Sequence, residues 1–225
     1  MKRTLLAILV ALTTTLSASA FGDLRIGATA GYNLTHVNYD RATLEKTLNG
    51  KNGSGWYAGV KARMGLFLGL GVDGALVYNQ REYKIGDMQQ TSSYTAKSFD
   101  IPLNARFDFA LGGAGVYFAA GPNFSFNVGD KDWNTSSLLK DASFQNLGQA
   151  ADKVTDGIFR QENLVTSLNL GAGLRFSSSL EVGLTYTMPM TSTGNRLLKE
   201  AGVKGSTQLP TYKANQWAVH ATFYF

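Results

Sequence analysis

The sequence predicts an all-β fold: an eight-stranded antiparallel up-and-down transmembrane β-barrel with short helical elements in its long loops. Three observations carry this. Apolar and polar residues alternate in eight runs between Leu24 and Phe225, each of about ten residues, the length of a tilted strand crossing a bilayer. The intervals between runs alternate between long polar segments and tight turns, as in barrels that keep long loops on one side only. Aromatic residues gather at the ends of the runs rather than in their middles.

The first run sets Leu24, Ile26, Ala28, Ala30, Tyr32 and Leu34 against Arg25, Gly27, Thr29, Gly31, Asn33 and Thr35. Such alternation sends the two sets to opposite faces of a strand. The second run, Trp56–Met64, alternates Trp56, Ala58, Val60, Ala62 and Met64 with Tyr57, Gly59, Lys61 and Arg63. The third places Leu70, Val72, Gly74, Leu76 and Tyr78 opposite Asp73 and Asn79, and the fourth places Phe99, Ile101, Leu103, Ala105 and Phe107 opposite Asp100, Pro102, Asn104 and Arg106. Pro102 has no N–H for the ladder, which predicts a bulge or an unpaired position there. The apolar rows continue with Val116–Phe126, Leu168–Phe176, Leu180–Tyr186 and Trp217–Phe225.

Alternation alone does not say which face is outside; a soluble lipid-carrying barrel would turn the apolar row inward. The polar row here is crowded with glycine and charge, a poor exterior for a soluble protein. Tyr32, Trp56, Tyr78, Tyr186 and Trp217 lie toward the long loops, and Phe107, Phe176 and Phe225 toward the short turns. Two such belts match the aromatic girdles of a membrane barrel. The apolar row is therefore expected to face lipid in a bacterial outer membrane.

The N-terminus reads as a cleaved secretory signal peptide over residues 1–20: Lys2 and Arg3, an apolar stretch from Leu5 to Leu12, then Ala18-Ser19-Ala20 as the cleavage site. The barrel domain is expected over 21–225. The chain has no Cys, which excludes disulfides, thiolate metal sites and a lipid-modified N-terminal cysteine. Its net charge of +5 is spread along the chain, so no nucleic-acid patch is indicated. Short helices are expected in three long segments: around Asp40–Leu48 within Asn38–Gly55, within Gly129–Asn163 on the series Leu138, Leu139, Ala142, Leu147, Ala150, Ala151 and Val154, and over Asn195–Ala201.

Catalysis would need a base with a nucleophilic or acidic partner. The two histidines are His36, at the rim of the first strand, and His220, in the polar row of the last, where Ser167 and Thr185 on nearby strands could approach it. Neither lies in a catalytic motif, so the chain is expected not to be an enzyme; catalytic, cofactor-binding and metal-binding residues are all expected to be none. Asp130 and Asp132 are the faintest hint of a Ca²⁺ site. Eight strands leave an interior that side chains fill, which argues against a diffusion channel. A polar plug is expected instead. A turn centred on Phe67 would set Lys61 opposite Asp73, and one centred on Ser178 would set Arg175 opposite Glu181, with Arg106 within reach of Asp73.

Several strands also resemble the outer-membrane β-barrel domain family typified by PorT-like proteins. The segments that carry the resemblance are SFDIPLNARFDF (Ser98–Phe109), VYFAAGPNFSF (Val116–Phe126), LNLGAGLRF (Leu168–Phe176) and WAVHATFYF (Trp217–Phe225), with DGALVYNQREY (Asp73–Tyr83) similar to the family's third strand except for Ala75. The resemblance implies an outer-membrane barrel inserted by the barrel-assembly machinery through its terminal Phe225. Members have assorted roles, one of them an accessory to protein secretion, and no catalytic residue comes with the family. The expected function is structural, anchoring or interaction-based, with a lipid A-modifying enzyme and a surface adhesin or receptor acting through its long loops as alternatives. Expected partners are lipopolysaccharide and phospholipid, the assembly machinery and an unidentified envelope protein; a monomer is expected.

Overall fold

A computed structural model describes residues 24–39, 49–86, 91–129, 132–133, 159–191, 193–196 and 212–225. The eight barrel strands are β1 (Leu24–Tyr39), β2 (Gly53–Gly65), β3 (Leu70–Gly86), β4 (Thr91–Leu111), β5 (Ala114–Val128), β6 (Leu164–Arg175), β7 (Leu180–Pro189) and β8 (Tyr212–Tyr224). Each pairs antiparallel with the next, and β1 pairs with β8 from Gly27↔Tyr224 to Tyr39↔Tyr212, closing the barrel. Closure leaves the eight strands no open edge within the wall. Short strands Phe159–Gln161 and Gly194–Arg196 pair with each other, and Asp132–Trp133 adds to Phe159–Gln161, so a small sheet stands beyond the rim.

The predicted faces are the observed faces. Tyr32, Trp56, Phe99, Phe118, Leu170, Leu184 and Val219 are exposed on the outer wall, while Asn33, Arg63, Asp73, Asp100, Arg106, Glu181 and Thr222 are buried inside. The long-loop girdle is continuous where its rings meet: Trp56 to Tyr78 at 5.8 Å, Tyr78 to Phe99 at 5.7 Å, and Tyr186 to Trp217 at 4.5 Å. At the other end Phe223 and Phe225 meet edge to face at 6.0 Å.

The strands run past this girdle, into the interval between the third and fourth runs where a long loop is expected. Gln80–Gly86 and Thr91–Lys97 are strand, paired from Gln80↔Lys97 to Gly86↔Thr91. Seven residues beyond Tyr78 carry the hairpin roughly 20 Å further. The polarity of the two faces swaps there. In β4 the outward row changes from Phe107, Leu103 and Phe99 to Lys97, Thr95 and Ser93, and the inward row changes from Arg106 and Asp100 to buried Ala96. Beyond the girdle water replaces lipid outside, so the apolar side chains move in. Val37, Tyr83, Ala96 and Ala214 form a small apolar core at that mouth, with Tyr83 stacked on Tyr94 at 6.4 Å.

The turn after β2 corrects one register. Leu68 and Gly69 both take left-handed backbone, with φ of 51° and 81°, so the turn centres on Leu68, not Phe67. Met64 therefore opposes Val72, and Asp73 opposes Arg63, not Lys61. A shift of two residues keeps every side chain on its predicted face. The turn at Ser177–Ser179 centres on Ser178 as expected, with Glu181 opposite Arg175.

Pro102 produces a gap without a bulge. The β3–β4 register is the same on both sides of it, Gly74↔Leu103 and Val77↔Asp100, with no pairing at Ile101 or Pro102. No helix occurs among the described residues. Of the expected helices, Asn195 and Arg196 are instead in a strand, the start and end of Gly129–Asn163 are extended, and the remainder, with the segment Asp40–Leu48 and residues 1–20, lies outside the described residues.

Candidate functional site: the charged lumen

Alternation aims the odd-numbered polar residues of β1, β2, β3, β5, β6 and β7 and the even-numbered ones of β4 and β8 into one narrow interior. Toward the short turns they form an ion-pair cluster centred on Glu181, which has no exposed surface. Arg63 Nη1 donates to its Oε1 at 2.8 Å; Arg106 Nη1 and the Tyr224 hydroxyl donate to Oε2 at 2.9 and 3.0 Å. Arg106 also holds Asp108 with two parallel bonds, from Nε at 2.7 Å and Nη2 at 2.8 Å. The guanidinium planes lie over tyrosine rings, Arg106 over Tyr117 at 4.0 Å and Arg63 over Tyr224 at 4.8 Å. A buried carboxylate is tolerated because each oxygen receives charged or hydroxyl donors.

Glu181 takes the role the sequence reading gave to a single pair. Arg175 stands directly opposite it in register, yet its ion pair is with Asp108 at 3.3 Å. The guanidiniums of Arg63 and Arg106 reach Glu181 from across the lumen and leave Arg175 at the mouth. The expected Lys61–Asp73 pair forms, at 3.2 Å, but diagonally; Arg106 lies 3.6 Å from the same carboxylate. Asn104 Nδ2 donates to the other Asp73 oxygen at 2.7 Å.

A second cluster closes the lumen toward the long loops. Asn33 donates to Asn79 at 2.9 Å, Asn79 to Asp100 at 2.8 Å, and Ser98 to Asp100 at 2.7 Å, with Arg81 also on Asp100. Between the two clusters lies a polar cavity of about 90 Å³ bordered by Lys61, Asp73, Asn123, Asn169, Gln216 and His220. That is well short of the several hundred Å³ of a typical substrate pocket.

His220 sits beside this cavity and has Tyr117 as its bonded neighbour, Nε2 to hydroxyl 3.0 Å. Gly31 and Gly183 oppose it on the flanking strands. These glycines have a packing reason: a Cβ on Gly31 would stand 2.6 Å from the Tyr57 ring, and one on Gly183 would collide with the Tyr117 hydroxyl. Thr185 pairs with Ala218, and Ser167 pairs with Asn123 and Pro189, nearer the long loops. Among the described residues no serine–histidine pair is assembled. His36 lies on the outer face with Nδ1 2.9 Å from Asn52. Asp132 lies in the short outer strand, whereas Asp130 is outside the described residues, and the described residues contain no group of three His, Cys, Asp or Glu able to hold a metal.

The inward charges Lys61, Arg63, Asp73, Asp100, Arg106, Arg175 and Glu181 are legible from alternation, whereas Arg81 and Asp108 lie beyond the ends of their runs. Which of them meet across the barrel is not legible there, because that depends on strand stagger. Tyr117 and Tyr224, both buried, were the residues missed as partners of the charges.

A family model for an outer membrane protein beta-barrel domain matches residues 15–195. No curated protein matches the chain. Among solved structures, the chain is similar to the outer membrane protein OprG from Pseudomonas aeruginosa, at 10% identity over 91% of this chain and 96% of that one, TM-score 0.49. It is also similar to Ail of Yersinia pestis, at 14% identity over 89% and 98%, TM-score 0.38. Neisserial surface protein A gives 14% identity over 88% and 97%, TM-score 0.38.

Proposed function

This chain belongs to the outer membrane protein beta-barrel domain family, and from that premise we propose that it is a closed, non-conducting barrel that anchors an interaction surface in the bacterial outer membrane. The observation that carries the reading is the doubly closed lumen. Arg63, Arg106 and Glu181 bridge it at one end, and Asn33, Asn79, Asp100 and Arg81 bridge it at the other. Side chains held by charged hydrogen bonds on several strands do not part for a passing solute without breaking a buried pair, a cost of about 3 kcal/mol or more. The strands that continue beyond the long-loop girdle, water-facing outside and apolar within, support a rigid platform above the membrane.

In this reading the short turns face the periplasm, the long loops face outward, lipid surrounds the apolar wall, and the assembly machinery inserts the chain through Phe225. The protein acts as a monomer and engages an envelope or surface partner through the long-loop end. It carries out no catalysis: His220 is engaged by Tyr117, and the cavity beside it is too small for a lipid or peptide substrate. Two measurements test the reading together. Purified protein in planar bilayers should show little steady conductance, and photo-crosslinkers at Ser93 and Thr95 should capture a defined partner in intact cells. Sustained conductance from the unaltered protein would overturn it, as would His220-dependent change in lipid A mass.

A further inference from the structure

The short-turn mouth contains more cationic donor capacity than its own carboxylates use. A cavity of about 300 Å³ opens there, bordered by Arg63, Arg106, Arg175, Asp108 and the turn that includes Leu66 and Leu68. Glu181, behind this wall, already accepts from Arg63, Arg106 and Tyr224. Asp108 is held bidentately by Arg106. In the connected ion pairs four cations, Lys61, Arg63, Arg106 and Arg175, share three carboxylates, Asp73, Glu181 and Asp108, which leaves one positive charge in excess.

The spare donors within a ligand's reach belong to Arg175. Arg175 has five N–H groups and makes one hydrogen bond among the described residues, at 3.3 Å to Asp108, with its side chain 22% exposed. Arg63 is buried, uses Nη1 on Glu181 and Nη2 on the Ser178 carbonyl at 3.3 Å, and its Nε, without a partner among the described residues, lies out of contact with the opening. An unmet buried donor is costly. Guanidinium forks are the side chains best shaped to take a tetrahedral or planar oxyanion by paired bonds.

The same cavity has an apolar lip. Leu66, Phe67 and Leu68 are 51%, 65% and 88% exposed, three consecutive apolar side chains that an aqueous turn would not choose. They lie at the short-turn boundary of the membrane, one step beyond the lower aromatic belt. A cationic cavity beside an apolar lip is complementary to an anionic head carried on hydrocarbon.

We propose that the short-turn mouth is a binding site for a phosphoryl anion, with Arg175 as the recognising side chain and the buried charges of Arg63 and Arg106 behind it. The group could be supplied as the headgroup of an anionic phospholipid or as free phosphate, and the apolar lip favours the former. Arg106 is the fixed element of the site, since both Asp108 and Glu181 restrain it. Arg175 is the mobile one, free to turn its unused N–H groups toward the ligand. The inference does not depend on the identity of any partner at the long-loop end.

The test uses the mature chain refolded and checked by its shift on unboiled gels. One arm titrates inorganic phosphate into protein in neutral detergent by calorimetry. The second measures, by native mass spectrometry, lipids retained from nanodiscs of phosphatidylcholine with or without phosphatidylglycerol. Saturable phosphate binding, weakened tenfold or more by Arg175→Gln, supports the site with the free anion sufficient. Retention of phosphatidylglycerol over phosphatidylcholine, lost in Arg175→Gln and in Phe67→Ser, supports it with lipid as the source. Lys84→Gln, at the opposite end, should leave both arms unchanged. The proposal fails if neither probe binds selectively, or if Arg175→Gln binds both as the parent does.

Discussion

Removing one carboxylate from the barrel interior is expected to be far more costly than removing a surface charge, and Glu181 is where this can be measured. Glu181→Gln keeps the shape but leaves Arg63 and Arg106 without the anion that offsets their burial. Loss of a buried partner costs on the order of 3–5 kcal/mol, against less than about 1 kcal/mol for the half-exposed Lys84–Glu82 pair. Urea unfolding in lipid vesicles should therefore give a much lower midpoint for Glu181→Gln than for Glu82→Gln. Equal midpoints would mean that the cluster adds specificity but little stability. Gly183→Val should also fail to reach the folded form, because its side chain would occupy the space of the Tyr117 hydroxyl; the unboiled-gel shift reports this directly.

At the scale of the element, the last strand separates two roles in adjacent residues. Phe225 is 82% exposed and stacks edge to face on Phe223, whereas Tyr224 points inward and donates to Glu181. Phe225→Ser should lower the amount of protein in the outer membrane. Tyr224→Phe, which removes one hydroxyl and keeps the ring over Arg63, should leave that amount near normal and lower stability by about 1–3 kcal/mol. Quantitative membrane blots and unfolding midpoints distinguish the two; matching losses from the membrane would remove the case for a terminal assembly signal. The turn after β2 makes a similar point about local backbone. Gly69 at φ 81° tolerates no side chain easily, so Gly69→Val should disturb the Arg63↔Asp73 register and weaken folding more than Gly65→Val, where an added Cβ meets open space.

At the scale of the whole molecule, the swap of polarity along β3 and β4 marks where the bilayer ends. The chain has no cysteine, so single cysteines report position cleanly. Ser93→Cys, beyond the long-loop girdle, should react with a membrane-impermeant maleimide on intact cells, and Ser178→Cys, in a short turn, should react only after the outer membrane is permeabilised. The reverse pattern would invert the topology and move the charged mouth to the cell surface.

Alternation by itself determined the strands of a barrel but not its facing, because a soluble barrel and one in lipid show the same period of two. Together with the aromatic run ends and the charged, glycine-rich polar row it set which side chains face hydrocarbon and which fill the lumen, and it placed the girdle of Trp56, Tyr78 and Trp217. It did not reveal the strands beyond the girdle: Gln80–Gly86 and Thr91–Lys97 keep the same period, but their apolar set faces inward, so lipid-facing rows alone could not detect them. Nor did it decide which charges meet. Lys61 and Asp73 were recognisable as partners, yet the left-handed Leu68 and Gly69 moved their strands by two residues and made the contact diagonal. Arg175 and Glu181 are opposite in register and still pair elsewhere, because long guanidinium side chains reach across a narrow lumen as easily as along its wall. Contacts between neighbouring strands follow from sequence separation. Contacts across the barrel follow from its stagger and diameter, which exist only once all eight strands have closed.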